Sequence, residues 1–388
     1  MRPDIKQDFS HFLNAVPGRL HVAAHSHHYW PDITFGAQTA AWQDAAFHAD
    51  NKWAHIFGTV MPALRQDLAQ VLNLPDPGSI VFAQNTHEFV VRLLSCLPAH
   101  KPARILTTDS EFHSFDRQIK RLEEENILTV TRITTQPFDS FAARFAEAAG
   151  QDYDMIFLSH VFYNSGFMLD NLEQIIDRVK NDETMIVFDG YHAFMALPVD
   201  LSRIAHRAFY LAGGYKYAMS GEGACFMHCP PGYGARPRNT GWFAGFGTLA
   251  DARSHDVPFG QDASRFAGAT ADVSGLYRMR AVLDWLRDKN ITPADIHAHV
   301  HKLQTQFVEG LQDHPLVTPQ YLIVPVSDTR RGNFLTFKIH QAGDICARLK
   351  EKGIITDYRG DGLRFGFGIY HDTQDIQTLI RALHQHVR

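Results

Sequence analysis

Strand-like apolar runs and helical patterns alternate through the middle of this chain, and that alternation restricts the fold more than any other feature. Ser79-Ile-Val-Phe-Ala precedes a helical stretch from Thr86 to Leu97, and Arg104-Ile-Leu-Thr-Thr precedes a charged helix from Ser114 to Glu125. Met155-Ile-Phe-Leu-Ser-His-Val leads to an amphipathic helix from Leu172 to Lys180, followed by the runs Met185-Ile-Val-Phe-Asp and Ala208-Phe-Tyr-Leu-Ala. Such alternation predicts βαβ units and a mainly parallel sheet. Ligands on such sheets bind at the carboxyl ends of the strands, where Asn85, Asp189 and Lys216 fall.

A helix from Val273 to Lys289 leads out of this pattern. Beyond it, Gln320-Tyr-Leu-Ile-Val-Pro-Val, Phe334-Leu-Thr-Phe-Lys-Ile and Leu363-Arg-Phe-Gly-Phe read as strands, with helices from Asp344 to Lys352 and Thr373 to His386. The expected domains are an N-terminal arm contributing to a small domain (1–45), a large α/β domain (46–275) and a small α+β domain (276–388). A chain of 388 residues can bury a sizeable core. The net charge of −5 gives no polybasic signal, so neither nucleic acid nor an anionic membrane is expected as the main partner. Four cysteines without C-x-x-C spacing suit a reducing cytosol, and no apolar leader is visible. The expectation is a soluble cytoplasmic protein.

Two signals 27 residues apart carry the chemistry. Met185-Ile-Val-Phe-Asp-Gly-Tyr-His192 is an apolar strand ending in Asp189, with His192 three residues on. Lys216 sits in the small-residue turn Gly213-Gly-Tyr-Lys-Tyr. Alone, Lys216 reads as a surface lysine and Asp189 as a helix cap. Paired, they match the needs of pyridoxal 5′-phosphate (PLP): a lysine for the Schiff base and a carboxylate that keeps the pyridine nitrogen protonated. The phosphate needs backbone donors at a helix start, which Ala83-Gln-Asn-Thr-His-Glu offers, with the Thr86 hydroxyl and the His87 imidazole. Phe112, after the second strand, suits either a stacked cofactor ring or the core. His21, His25, His27 and His28 tempt a metal reading, as does Cys225-Phe-Met-His-Cys229. Neither has metal-site spacing, so a polar loop and a strand are expected instead, and no metal.

With these motifs in view, the chain resembles fold-type I PLP enzymes of the class V aminotransferase superfamily, and among them most resembles kynureninases. Asp189-Gly-Tyr-His-Ala is similar to D-L-A-H-A, and Gly214-Tyr-Lys-Tyr to S-Y-K-Y, whose tyrosine, here Tyr215, contacts phosphate. Ser159-His-Val-Phe-Tyr-Asn-Ser-Gly resembles S-H-V-N-Y-R-T-G. Asn239-Thr-Gly-Trp-Phe and Arg265-Phe-Ala-Gly-Ala-Thr resemble segments that reach a neighbouring subunit's cofactor, which implies a homodimer with Trp242 and Thr270 in those roles. Asp357-Tyr-Arg-Gly-Asp-Gly-Leu-Arg-Phe-Gly-Phe resembles G-D-F-R-A-P-D-x-L-R-F-G-F, which makes Arg364 the residue for the substrate α-carboxylate. Arg359 is the alternative. Departures at Phe162, Asn164, Ala269, the segment 24–28 and the loop after Trp242 are expected to surround the substrate.

The resemblance implies hydrolytic Cβ–Cγ cleavage of a β-keto amino acid, releasing alanine. A class V aminotransferase is the first alternative. A desulfurase needs an exposed reactive cysteine, and Cys346 reads as a packed helix residue. A non-catalytic binding protein is the remaining alternative, disfavoured by the presence of Asp189, His192, Lys216 and Arg364 together.

Overall fold

The computed structural model describes residues 5–248 and 255–387; the first four residues, read above for a leader, lie outside it. The strands in chain order are β1 (Leu20–His21), β2 (Ile80–Ala83), β3 (Ala103–Thr108), β4 (Leu128–Ile133), β5 (Met155–Ser159) and β6 (Met185–Asp189). They continue with β7 (Ala208–Gly213), β8 (Cys225–His228), β9 (Phe334–Lys338), β10 (Ile354–Ile355), β11 (Asp357–Arg359) and β12 (Gly362–Gly366). One seven-stranded sheet runs in the order β2-β8-β7-β6-β5-β3-β4. Its strands are parallel except β8, which is antiparallel to both of its neighbours.

The central strands are buried at every position, as unbroken apolar runs covered on both faces should be. Alternate side chains nonetheless serve different cores, because the pleat turns them to opposite faces. Ile156, Leu158, Ile186 and Phe188 join one cluster, and Met155, Phe157, Met185 and Val187 the other. The register sets Ser159 beside Asp189 and Asp189 beside Leu211. β5 and β6 therefore end level with one another, and β7 runs two residues further, to Gly213.

A three-stranded antiparallel sheet, β11-β12-β9, forms the smaller layer. Helices Pro293–Glu309, Ala342–Glu351 and Thr373–His386 flank it in sequence. Phe307 packs against Phe337, Phe365 and Phe367. β1 pairs in parallel with β10, Leu20 opposite Ile354. That pairing supports our proposal that the arm at 1–45 belongs with 276–388, apart from a large domain at 46–275.

Some elements depart from expectation. Gln320–Val326 is not a strand: it opens with the turn Pro319–Tyr321 and keeps a single bridge, Leu322 to Phe337. Pro325 has no N–H with which to extend a ladder. The helix expected at 172–180 shrinks to Glu173–Ile176. Helices Ile33–His48, Met61–Leu72 and Phe138–Ala149, and strand β4, were not anticipated. No helix among the described residues is long and apolar enough to cross a membrane.

Candidate active site

β6 ends at Asp189, where the chain must turn beneath the ring of Tyr210. A side chain at Gly190 would collide with that ring, so only glycine lets the turn close. The turn then brings the Tyr191 amide 2.9 Å from Asp189 Oδ1. β7 ends at Gly213, and the next turn folds back through Gly214 N–H to Ala224 O and Ser220 N–H to Gly214 O. A Cβ at Gly214 would strike Ser220 and the Gly221 carbonyl. These two tight turns aim Asp189 and Lys216 into the same space.

Lys216 is 8% exposed, and its Nζ lies 2.7 Å from His192 Nε2. It also lies 5.4 Å from the centre of the Tyr191 ring and 5.8 Å from that of Tyr215. Burial pushes the lysine below its ordinary range, against the pull of Asp189. Burial raises Asp189 above the usual carboxylate range. Burial, and then the nearby Lys216, push His192 well below its ordinary range, and its Nε2 shares a hydrogen bond with the lysine.

A cavity of about 150 Å³ joins Thr86, His87, Phe112, Asp189, His192, Tyr215 and Lys216. The helix Thr86–Leu94 opens onto it. Asn85 caps this helix by accepting from Glu88 N–H at 3.1 Å, and Glu88 is drawn to Arg92 at 2.6 Å. Asn85, Thr86 and His87, at the start of this helix, line the cavity's end. Phe112, half-buried, packs near Phe157 and also lines the cavity.

Sequence reasoning left out Ser159, Tyr163 and Tyr191 as site residues, although all three line the cavity. Ser159 and Tyr163 lie inside a motif already singled out, and Tyr191 sits between Asp189 and His192. Glu111 lies deeper, accepting from Thr108 Oγ1 at 2.5 Å and Ser159 Oγ at 2.7 Å. Burial raises its pKa to about 7.

Three expected residues lie outside the cavity lining. Trp242 and Thr270 meet each other instead, Nε1 donating to Oγ1 at 3.1 Å, with Trp242 38% exposed. Arg364 is buried and already engaged: Nε donates to Asp357 Oδ1 at 3.0 Å, Nη2 to Asp357 Oδ2, and Nη1 to the Tyr163 carbonyl at 3.0 Å. Burial alone would raise Asp357. The contacts of His25 and Arg364 outweigh it and hold the carboxyl well below its usual range. His25 Nε2 lies 2.9 Å from Asp357, so the N-terminal histidine segment reaches this network. Arg359 is more exposed, donating through Nε to the Tyr163 hydroxyl at 2.5 Å. Phe162 corrects an expectation: it is buried against Phe141 and Phe167 in the core, at a reversal where its N–H donates to the Phe167 carbonyl.

The family model for class V aminotransferases matches residues 40–381. The chain belongs to the class V aminotransferase family, whose cofactor is PLP. It is 27% identical to a kynureninase of Shouchella clausii over 239 residues, 60% of this chain and 54% of that one. The chain thus spans about half the length of such kynureninases. It is 22% identical to a probable cysteine desulfurase of Vibrio cholerae over 343 residues, 83% of this chain and 81% of that one. Among solved structures, a variant of C-DES with glycine linked to its PLP cofactor superposes with a TM-score of 0.81. The identity there is 19%, covering 97% of this chain and 99% of the other. That likeness is one of fold.

Proposed function

We propose that this chain is a PLP enzyme that hydrolyses the Cβ–Cγ bond of a β-keto amino acid, releasing alanine. The observation that carries the site assignment is the meeting of Lys216 Nζ, His192 and buried Asp189 in one cavity at the ends of β6 and β7. The similarity to kynureninases supports the reaction.

The residues present fit the cofactor. Asp189 is a buried carboxyl whose ionisation is penalised by burial, and a protonated pyridine nitrogen would supply the missing cation. The first-turn amides of Thr86–Leu94, the Thr86 hydroxyl, His87 and Tyr215 would hold the phosphate. Phe112 and His192 would flank the ring, and Lys216 would bind it covalently. Once bound, PLP supplies an electron sink for negative charge developing at the substrate Cα. Lys216 would take the Cα proton once the substrate amine has displaced its Nζ from the cofactor, and burial lowers that free amine toward the range of a general base. Arg364, its fork fixed by Asp357, would receive the α-carboxylate on its remaining outer N–H edge. Trp242 and Thr270 would complete the site of a second subunit in a homodimer.

The thiols weigh against a desulfurase. The four cysteines are free, and burial pushes all of them up, Cys96 and Cys229 to about 12. A sulfur-accepting nucleophile needs the opposite shift. Cys346 lies in the helix Ala342–Glu351, with Sγ 3.4 Å from the Thr356 carbonyl.

The test is a panel of amino acids, β-keto amino acids included, with alanine, carboxylic acid and keto-acid products all measured. Alanine and a carboxylic acid in equal amounts are expected. Keto acid without alanine would mean transamination, and no turnover with any substrate would favour a binding protein. Lys216→Ala should abolish turnover. Borohydride reduction followed by peptide mapping should label Lys216, and label on another lysine would overturn the assignment.

A further inference from the structure

Away from the cavity, three side chains capable of holding a metal converge where the chain reverses after its first long helix. Asp44 and His48 are four residues apart in the helix Ile33–His48 and so share one face. A tight turn follows, with Ala49 at φ 48, and the short helix Lys52–His55 returns His55 to that face. His55 Nε2 lies 3.1 Å from Asp44 Oδ2. The imidazoles of His48 and His55 stack with centres 4.5 Å apart and planes 15° from parallel. Ligand atoms of all three residues lie within 4.8 Å of one another.

We propose that Asp44, His48 and His55 bind a divalent transition-metal ion of the zinc, cobalt or nickel class. Imidazole and carboxylate ligands bind such ions at roughly 2.0–2.2 Å, so neighbouring ligand atoms around a tetrahedral ion stand about 3.4 Å apart. The Asp44–His55 pair, at 3.1 Å, is already near that spacing, and a ring nitrogen of His48 lies within 4.8 Å of both. Tyr277 donates its hydroxyl to Asp44 Oδ2 at 2.9 Å, an outer hydrogen bond of the kind that orients a ligating carboxylate. The site also lies at the carboxyl end of a 16-residue helix, where unsatisfied carbonyls favour a cation. His55 and Asp44 are 26% and 36% exposed, so an ion can enter from water and keep an open fourth position. Occupied, the site would pin the reversal after Ile33–His48 to Tyr277 of the helix Ser274–Asp288. It is independent of the reaction assigned above.

The experiment uses the full-length holoenzyme, stripped of metal with a chelator and titrated with Co²⁺ by visible absorption and with Zn²⁺ by calorimetry. One ion per chain is expected, with ligand-field bands for cobalt. Asp44→Asn, His48→Gln and His55→Gln should each lose most of the binding, and Tyr277→Phe should weaken it roughly ten- to a hundredfold. Far-UV circular dichroism checks that the variants fold. If any does not, the wild-type cobalt titration decides alone. Absence of binding by the wild type, or undiminished binding by a folded His48→Gln/His55→Gln double variant, overturns the proposal.

Discussion

At the scale of single residues, burial sets the proton affinities of the site. Asp189→Asn keeps the shape of the carboxyl but cannot balance a cationic ring nitrogen. Its kcat/KM should fall roughly a hundredfold or more, the usual effect of removing one electrostatic group at a reacting centre, while some cofactor stays bound. Near-normal turnover in this variant would mean that another group faces the nitrogen. Glu111 makes a prediction about stability. Its pKa rises from 4.5 to about 7 in the fold, so the native state holds a proton that the unfolded chain releases. Its contribution is fully present below about pH 4.5 and is lost as pH rises through about 7. Glu111→Gln should therefore remove roughly 3 kcal/mol of pH-dependent destabilisation between those limits. Urea unfolding of both proteins at pH 5 and pH 8 measures it.

The two arginines separate by the same logic. Arg364 is fixed on both sides, by Asp357 and by the Tyr163 carbonyl, whereas Arg359 meets the Tyr163 hydroxyl near solvent. Arg364→Lys loses the planar fork and should raise KM for an amino-acid substrate roughly ten- to a hundredfold, the range for a charged hydrogen bond. A rise in KM for Arg359→Lys with none for Arg364→Lys would transfer the carboxylate to Arg359.

At the scale of elements, what matters is how a strand ends. Gly190 occupies the space under Tyr210, so Gly190→Ala must displace either the tyrosine ring or the Asp189 carboxyl. The overpacking should destabilise the protein by about 1–3 kcal/mol and lower activity together with melting temperature. A variant as stable and active as wild type would show that the turn can open freely. The same scale explains what was readable in the sequence. β5, β6 and β7 announce themselves because they are apolar throughout, and the helix Thr373–His386 because Asp372 and Asp375 form its capping box. β4 did not, since Leu128-Thr-Val-Thr-Arg-Ile lies at the sheet edge and is mostly half-exposed. Gln320–Val326 misled because β-branched composition outweighed a single proline. Of the candidate site, Thr86, His87, Asp189, His192, Tyr215 and Lys216 were legible as a group that lines one cavity, because they cluster in short motifs. The contact of His25 with the Arg364–Asp357 pair was not, because tertiary packing brings it from 332 positions away.

At the scale of the whole molecule, the question is what covers the outer apolar surface. Phe35, Trp42 and Phe47 are 69%, 73% and 84% exposed on the helix Ile33–His48, and Trp242 is also partly bare. Soluble chains rarely leave several large aromatic side chains uncovered without a partner. These side chains fit the homodimer proposed above, in which Trp242→Ala should lower activity by weakening cofactor retention in the neighbouring subunit. Sedimentation of a monomer that keeps full specific activity on dilution would refute the shared site.

The parallel pairing of β1 with β10, and the bond from His25 to Asp357, have a consequence for biosynthesis. The two partners of that bond are 332 positions apart, which at roughly 5–20 residues per second is about a quarter of a minute to a minute of translation. β6 and β7, with Asp189 and Lys216, emerge from the ribosome long before that interval ends. The nascent chain can therefore assemble the lysine and its carboxylate while the arginine network is still unmade. With Arg364 as the proposed carboxylate residue, cofactor capture would precede substrate binding during synthesis, and the last strands would complete the site.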